Sequence, residues 1–312
     1  MRAVVVGEFG GPEVLAVEPV ERPEPIPTEI QVRVHAAGIN PVDFKTRAGR
    51  GMAGLLGEPP IRLGWDVSGV VSAVGGDSSR FEVGEEVFGM PWFPRQAGAY
   101  AEYVTAPSRH FAAKPHPLSH EEAAALPLAG LTAWQIVVDT IALEDGADVL
   151  VHGAAGGVGH LAVQVAKARG ANVIASARAE QADWLGELGA DQTIDYENER
   201  FEDLVSDLDA VIDLPGVYGE RSLPVLRPGG ILVSVPSGMS RDLRELAARG
   251  ERRAVGILVE PDQVGLLGLS HLVEAGQLQV KVDRVLELAE VAEAHRVAEG
   301  HHGGGKIVLR VD

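Results

Sequence analysis

Through the N-terminal third of the chain, apolar residues fall in short runs cut by Gly, Pro and Asp, the pattern of strands rather than helices. Residues 2–6 (Arg-Ala-Val-Val-Val) stop at Gly7, and residues 14–20 and 29–37 repeat the pattern, with Pro23, Pro25 and Pro27 excluding a helix between them. Further runs at 67–74, 85–89 and 99–105 make this part all-β in expectation. From Ser119 the texture changes. Ser119-His-Glu-Glu-Ala-Ala-Ala-Leu126 supplies an N-cap, acids in the first turn and strong helix formers behind them. A second helix is predicted over 132–140.

Beyond it, strand-length apolar runs at 148–152, 172–176, 192–195, 210–213, 231–235 and 254–259 alternate with helical stretches, including those opening at Gly157 and Glu180. Strands alternating with helices imply right-handed βαβ crossovers and a doubly wound parallel sheet covered on both faces, an α/β Rossmann arrangement. The tail adds a helix near 261–274, a strand at 280–286, a helix at 289–299 and a last strand at 306–311. With 312 residues the chain exceeds the usual single-core range, so two domains are expected.

The strongest local signal is Val149-Leu-Val-His-Gly153-Ala-Ala-Gly156-Gly157-Val-Gly159-His-Leu-Ala-Val-Gln164-Val-Ala-Lys167. A buried strand enters a glycine-dense turn and leaves it as an amphipathic helix. Glycines permit the tight turn and a close backbone approach, so that amides and dipole at the helix start can meet a pyrophosphate. The next predicted strand ends at Ser176-Ala177-Arg178, where an acidic residue would bond the ribose hydroxyls of NAD. A hydroxyl and a guanidinium suit a 2′-phosphate instead, which points to NADPH; a solvated arginine at a helix start is the competing reading.

Composition narrows the partners. A net charge of -18 argues against nucleic acid, which draws its affinity from clustered Lys and Arg. With no cysteine there is no disulfide, thiolate nucleophile or Cys-ligated metal. Residues 1–10 hold only the apolar run 3–6, too short for a signal-peptide core, and nothing approaches the roughly 20 continuous apolar residues of a membrane span. A soluble, cytoplasmic protein is expected. His35 and His152 fall in predicted strands, His110, His116 and His120 are expected in loops, and His301-His302 lies in a glycine-rich stretch. None has the paired spacing of a zinc site, so no metal is expected.

The order of parts resembles the medium-chain dehydrogenase/reductase superfamily, and within it the quinone oxidoreductase (zeta-crystallin-like) branch with its alkenal and enone reductases. The likeness is carried by Gly38-Ile-Asn40-Pro41-Val-Asp43-Phe-Lys45, Gly64-Trp65-Asp66-Val-Ser-Gly69, Gly84-Glu-Glu-Val-Phe-Gly89, Gly98-Ala-Tyr-Ala-Glu-Tyr103, Leu126-Pro through Leu131-Thr132-Ala133, the turn opening at Gly153, and Gly304-Gly305-Lys306-Ile-Val-Leu309. It covers essentially the whole chain. The resemblance implies a β-rich, GroES-like catalytic domain over 1–122, completed by 263–312, and a Rossmann domain over 123–262. The zinc alcohol dehydrogenases need cysteines and a Gly-His-Glu element, where this chain has Gly64-Trp65-Asp66 and no cysteine. Without a Lewis acid, alcohol oxidation is difficult, whereas a quinone or an α,β-unsaturated carbonyl is already electrophilic.

The function so implied is NADPH-dependent reduction of such an acceptor by hydride transfer without zinc. The resemblance puts Thr132 and Asn40 near the nicotinamide. Lys45, which combines charge with reach, is the candidate hydrogen-bond or proton donor to the acceptor oxygen, against a solvated lysine; Asp43 is read as a structural tie. For the coenzyme the resemblance implies the backbone of Ala155, Gly156, Gly157 and Val158, with Ser176, Arg178, Tyr196, Val235 and Pro236. Lys306 is either a coenzyme contact or an ordinary strand-start lysine. Phe88, Met90, Trp92 and Phe93 are read as substrate-pocket wall or core. A homodimer paired through the 254–259 strand is expected. The alternatives are a non-catalytic dinucleotide-binding or structural protein, and an enoyl-thioester reductase.

Overall fold

The N-terminal apolar runs pair with one another around one long strand. In the computed structural model, which describes residues 1–76, 80–235, 239–300 and 304–311, the first unit comprises Met1–Leu131, Glu260–Glu274 and Val280–Asp312. Strands β1 (Arg2–Val6) and β2 (Leu15–Pro19) form an antiparallel ribbon. Strand β3 (Glu29–Ile39) is buried along most of its length. It pairs antiparallel with β4 (Asp66–Val74), β6 (Tyr103–Pro107) and the C-terminal β15 (Lys306–Arg310). Strands β5 (Glu86–Gly89) and β7 (Phe111–Ala113) continue from β4, and β14 (Val282–Glu287) flanks β15, so the last strands of the chain complete a sheet begun by the first.

This part is not all-β. Helices α1 (Pro41–Arg47) and α2 (Ala53–Leu56) interrupt it. Asn40-Pro41-Val-Asp43 is a helix start: Pro41 occupies the first helical position and the Asp43 carboxylate accepts the Asn40 amide at 2.7 Å. Helix α3 (His120–Ala125) begins where Ser119 predicted it, with the Ser119 hydroxyl accepting from Glu122 N at 3.2 Å. His120 therefore opens a helix rather than a loop; its ring stacks on His35 at 4.4 Å and bonds Ser68. Helix α4 (Pro127–Trp134) starts earlier than expected because the orphan amide of Leu128 is satisfied by Asp66 at 2.8 Å, and it passes into a π-helical turn over Gln135–Thr140. Phe88 and Met90 have no exposed surface and belong to the core of this unit. Trp92 donates its indole N–H to Thr105 O.

The second unit comprises Thr132–Val259 and Ala275–Gln279. Its six strands are β8 (Asp148–His152), β9 (Asn172–Ala177), β10 (Gln192–Asp195), β11 (Leu208–Asp213), β12 (Leu226–Ser234) and β13 (Arg253–Gly256). They lie all parallel in the order β10-β9-β8-β11-β12-β13. This is the doubly wound Rossmann order expected from the alternation, reversing between β8 and β11. Strand β13 is shorter than the apolar run 254–259; beyond Gly256 the Ile257 amide still donates to Ser234 O at 3.3 Å. Helices α5 (Gly159–Ala168), α6 (Ala182–Glu187), α7 (Gly219–Ser222) and α8 (Arg241–Arg249) connect these strands. Gln164 on α5 exchanges two hydrogen bonds with the backbone of Gln279, which fastens 275–279 to this unit.

The first unit runs on to Leu131, past the Glu122 boundary read from sequence, and within it α3 packs its alanine face on β3, β4 and β15. Helices α9 (Gln263–Glu274) and α10 (Val291–Gly300) belong to the first unit. Among the described residues no helix is long and apolar enough to cross a membrane.

Candidate active site

In the second unit, the candidate residues gather at the carboxyl ends of the parallel strands. The register aligns His152 with Ser176 and with Asp213, and Asp213 with Ser234. The turn after β8, Arg178 after β9, Tyr196 after β10 and Val235 after β12 therefore lie along one edge of the sheet, the edge where such sheets bind ligands. Pro236 lies outside the described residues, as do His301 and His302. The Gly156 amide closes on Gly153 O at 3.0 Å, and Gly153 holds a φ of 71° that favours glycine. Among the described residues, the amides of Ala155, Gly157, Val158 and Gly159 make no backbone hydrogen bond, which leaves donors at the start of α5 for an anion. A Cβ on Gly159 would stand 2.1 Å from Gly153 O and 2.6 Å from Ala154 O, so the helix can leave the turn this closely only without a side chain. A diphosphate fits this turn.

Ser176 is buried at the end of β9. Arg178 is half-exposed, and its Nε donates to Glu197 Oε1 at 3.0 Å. Tyr196 stands 42% exposed beside the same guanidinium, and together with Glu197 it raises the guanidinium pKa. Thr132 is buried within α4. Asp213 accepts the amides of Gly216 and Tyr218, which fixes the loop after β11; burial pushes its pKa up.

His152 ends β8 with no exposed surface and, among the described residues, with neither ring nitrogen hydrogen-bonded. It is stacked on Tyr218 at 4.3 Å and edge-on to Phe201 at 4.6 Å. Burial, with a smaller push from Arg221, lowers its pKa from 6.5 to about 4. The folded state thus refuses a proton that the unfolded chain binds, and stability present above pH 6.5 is lost as the pH falls toward 4. Between pH 7 and pH 5 this single group costs about 2 kcal/mol. Chemical denaturation of His152→Phe should therefore show an acid-side loss shallower than that of the parent by about that amount; parallel curves would refute the buried neutral imidazole.

The first unit holds a second constellation, which sequence reasoning only partly found. The Asn40 side chain does not cap α1. Its Nδ2 donates to Asp66 Oδ2 at 2.8 Å, and its Oδ1 accepts from the Lys306 ammonium, which also donates to Ile39 O at 3.0 Å. Asp66 takes the Leu128 amide on its other oxygen and stands 3.8 Å from Lys306 Nζ. Asp43 accepts the amides of Asn40 and Gly64. The Tyr100 hydroxyl is buried beside it, without a hydrogen bond of ordinary geometry among the described residues.

All five side chains are at most 5% exposed. Burial raises the pKa of Asp43 to about 7 and of Asp66 to about 6, opposed for Asp66 first by Lys306, and burial lowers that of Lys306. The cluster thus binds protons in the neutral range, unlike free carboxylates. Lys306 and Asn40 are brought together here. Lys45 is not part of the cluster; it is half-buried on α1 and makes no side-chain hydrogen bond or ion pair among the described residues. Asp66, Tyr100 and Glu197 were not singled out from sequence. Asp66 gave a signal through Gly64-Trp65-Asp66, whereas Glu197 gave none.

A parallel sheet in this order, with a glycine turn at its first strand and a separate β-rich unit, defines the class of two-domain dehydrogenases and reductases. Comparison with known proteins agrees. Residues 26–116 match the family described as "Alcohol dehydrogenase GroES-like domain" and residues 188–309 the family described as "Zinc-binding dehydrogenase". The chain is 33% identical to the quinone oxidoreductase of Pongo abelii, covering 99% of this chain and 97% of that protein. It is 39% identical to the 2-methylene-furan-3-one reductase of Solanum lycopersicum, covering 75% of this chain and 61% of that protein. Among solved structures, the quinone oxidoreductase from Coxiella burnetii superposes with a TM-score of 0.92 at 38% identity, covering 100% of this chain and 99% of that one. The Escherichia coli quinone oxidoreductase complexed with NADPH superposes with a TM-score of 0.86 at 29% identity, covering 100% of both. The chain belongs to the quinone oxidoreductase branch of the medium-chain dehydrogenase/reductase superfamily, a family of oxidoreductases.

Proposed function

We propose that this protein reduces quinones or α,β-unsaturated carbonyls with NADPH and without zinc. The observation that carries the reading is the turn from Gly153 to Gly159, whose unpaired amides and missing Cβ atoms suit a coenzyme pyrophosphate. When bound, the reduced nicotinamide supplies a hydride. The chain's own work is to hold, orient and screen. Ala155, Gly156, Gly157 and Val158 bind the diphosphate, Tyr196 and Val235 border the coenzyme, Thr132 steadies its nicotinamide end, and Ser176 and Arg178 receive the 2′-phosphate.

Asn40 presents an amide whose orientation is fixed from both sides by Asp66 and Lys306, and Lys45, with no partner of its own among the described residues, donates to the acceptor oxygen. This assigns Lys306 to positioning Asn40. The zinc-free reading is supported by the lack of cysteine and by the cation that Asp66 already faces, the Lys306 ammonium. The NADPH reading is supported by Arg178 and by the E. coli quinone oxidoreductase complexed with NADPH. The enone reading is supported by the likeness to the 2-methylene-furan-3-one reductase. We also propose a cytoplasmic homodimer paired along the β13 edge, testable by light scattering.

Consumption of NADPH across a panel of quinones and short enals should show turnover that a zinc chelator leaves unchanged. A flat response to every acceptor would favour a non-catalytic binder, and loss on chelation would overturn the zinc-free chemistry. Arg178→Ala should raise the Michaelis constant for NADPH by about tenfold or more with that for NADH nearly unchanged; equal changes would remove the argument for NADPH.

A further inference from the structure

The second strand of a Rossmann unit usually carries its own coenzyme-selecting residue, and here that position offers only Ser176, Ala177 and Arg178. The fold supplies an acid from elsewhere. Strand β10 lies beside β9 with Asp195 level with Ala177, and the Tyr196 amide donates to Ala177 O at 3.2 Å, so the residues after β10 are delivered to those after β9. The Asp195 carboxylate accepts from Glu197 N and Asn198 Nδ2, and Glu199 accepts the Asp195 amide. That turn is therefore built, and it presents Glu197 to the Arg178 Nε at 3.0 Å. Both side chains remain partly open to solvent, 34% for Arg178 and 54% for Glu197.

We propose that Glu197 is a specificity-determining residue, which holds Arg178 in an ion pair that a coenzyme 2′-phosphate must displace and so narrows the preference for NADPH over NADH. This rests on Arg178 being the 2′-phosphate partner. The physics is a competition between two anions for one guanidinium. A phosphate wins it, since it carries more charge and more acceptor oxygens, but it does so against the existing pair and with a carboxylate left beside it. A coenzyme with a free ribose 2′-hydroxyl breaks nothing, and Glu197 is an acceptor for that hydroxyl.

The test is direct binding, measured by calorimetric titration of NADPH and NADH into the parent protein, Glu197→Gln, Arg178→Ala and the double variant. Glutamine keeps the shape and removes the charge. An exposed ion pair shifts an equilibrium by up to about fivefold, and relief of the repulsion adds to it. Glu197→Gln is therefore expected to lower the Kd for NADPH by about three- to tenfold and to leave that for NADH unchanged or weaker. The gain should shrink at high salt and should be smaller when Arg178 is already alanine. An unchanged NADPH Kd, or equal tightening of both coenzymes, would overturn the proposal. The single Arg178→Ala variant separates the two layers: selective weakening of NADPH there with no effect of Glu197→Gln sinks the role of Glu197 alone, whereas equal weakening of both coenzymes sinks the reading of Arg178 and this inference with it.

Discussion

Gly159→Ala is expected to abolish measurable coenzyme uptake, a loss of at least about a hundredfold, or about 3 kcal/mol. The added Cβ would meet the carbonyl oxygens of Gly153 and Ala154 at 2.1 and 2.6 Å and the carbonyl carbon of Ala154 at 2.7 Å. These are backbone atoms of the turn itself and cannot swing aside as a side chain can. Relief requires the start of α5 to move away from the loop, which scatters the amides of Ala155, Gly157 and Val158. Gly186→Ala provides the contrast. A Cβ there meets nothing within 4 Å on exposed α6, so the same change should leave uptake intact and add about 0.5–1 kcal/mol of stability. Titration of both variants with NADPH checks the pair; equal behaviour would contradict the assigned geometry.

The other large effect concerns the first unit. Asp66→Ala strands the Lys306 ammonium and removes the acceptor for the Leu128 amide and for Asn40 Nδ2, all in a region closed to water. Breaking a buried ion pair from one side costs about 3–5 kcal/mol, so this variant should unfold at markedly lower denaturant concentration. Asp66→Leu combined with Lys306→Met removes both charges, and the double change should cost less than Asp66→Ala alone. A single variant within about 1 kcal/mol of the parent would mean that the pair is not closed to water. Asp43 and Asp66 also set the pH response of this unit. Their folded pKa values of about 7 and 6 lie above those of free carboxyls. The folded state therefore binds the extra protons, and stability is lost as the pH rises through 7. This is opposite in sign to the effect of His152.

The architecture of the second unit was legible because its signals are local. Hydrophobic runs of strand length recur on schedule, and the glycines between His152 and His160 announce their own turn. The β character of the first unit was legible for the same reason. Its helix α1 was missed, although Asn40-Pro41-Val-Asp43 spells out a helix start, because seven residues between strands are too few to display a helical period. Lys306 shows a different limit. Its place at the start of a strand was visible, but its contact with Asn40 spans most of the chain, and no spacing rule reaches across a sheet closed by its last strand. Glu197 was invisible for a related reason: only the parallel register of β9 and β10 brings it to Arg178. Asp66 stood in a recognisable motif, yet whether its carboxylate faces a metal or an ammonium is decided by β15.

The proposed coenzyme chemistry requires the amides at the start of α5, which have no backbone partner among the described residues, to hold a diphosphate. Amide NMR of the isotopically labelled protein during NADPH titration tests this most directly. The resonances of Ala155, Gly157, Val158 and Gly159 are expected to shift in a saturable way and to become protected from exchange. Saturable binding that leaves those four amides unmoved, or no uptake of either reduced coenzyme by folded protein, would contradict it.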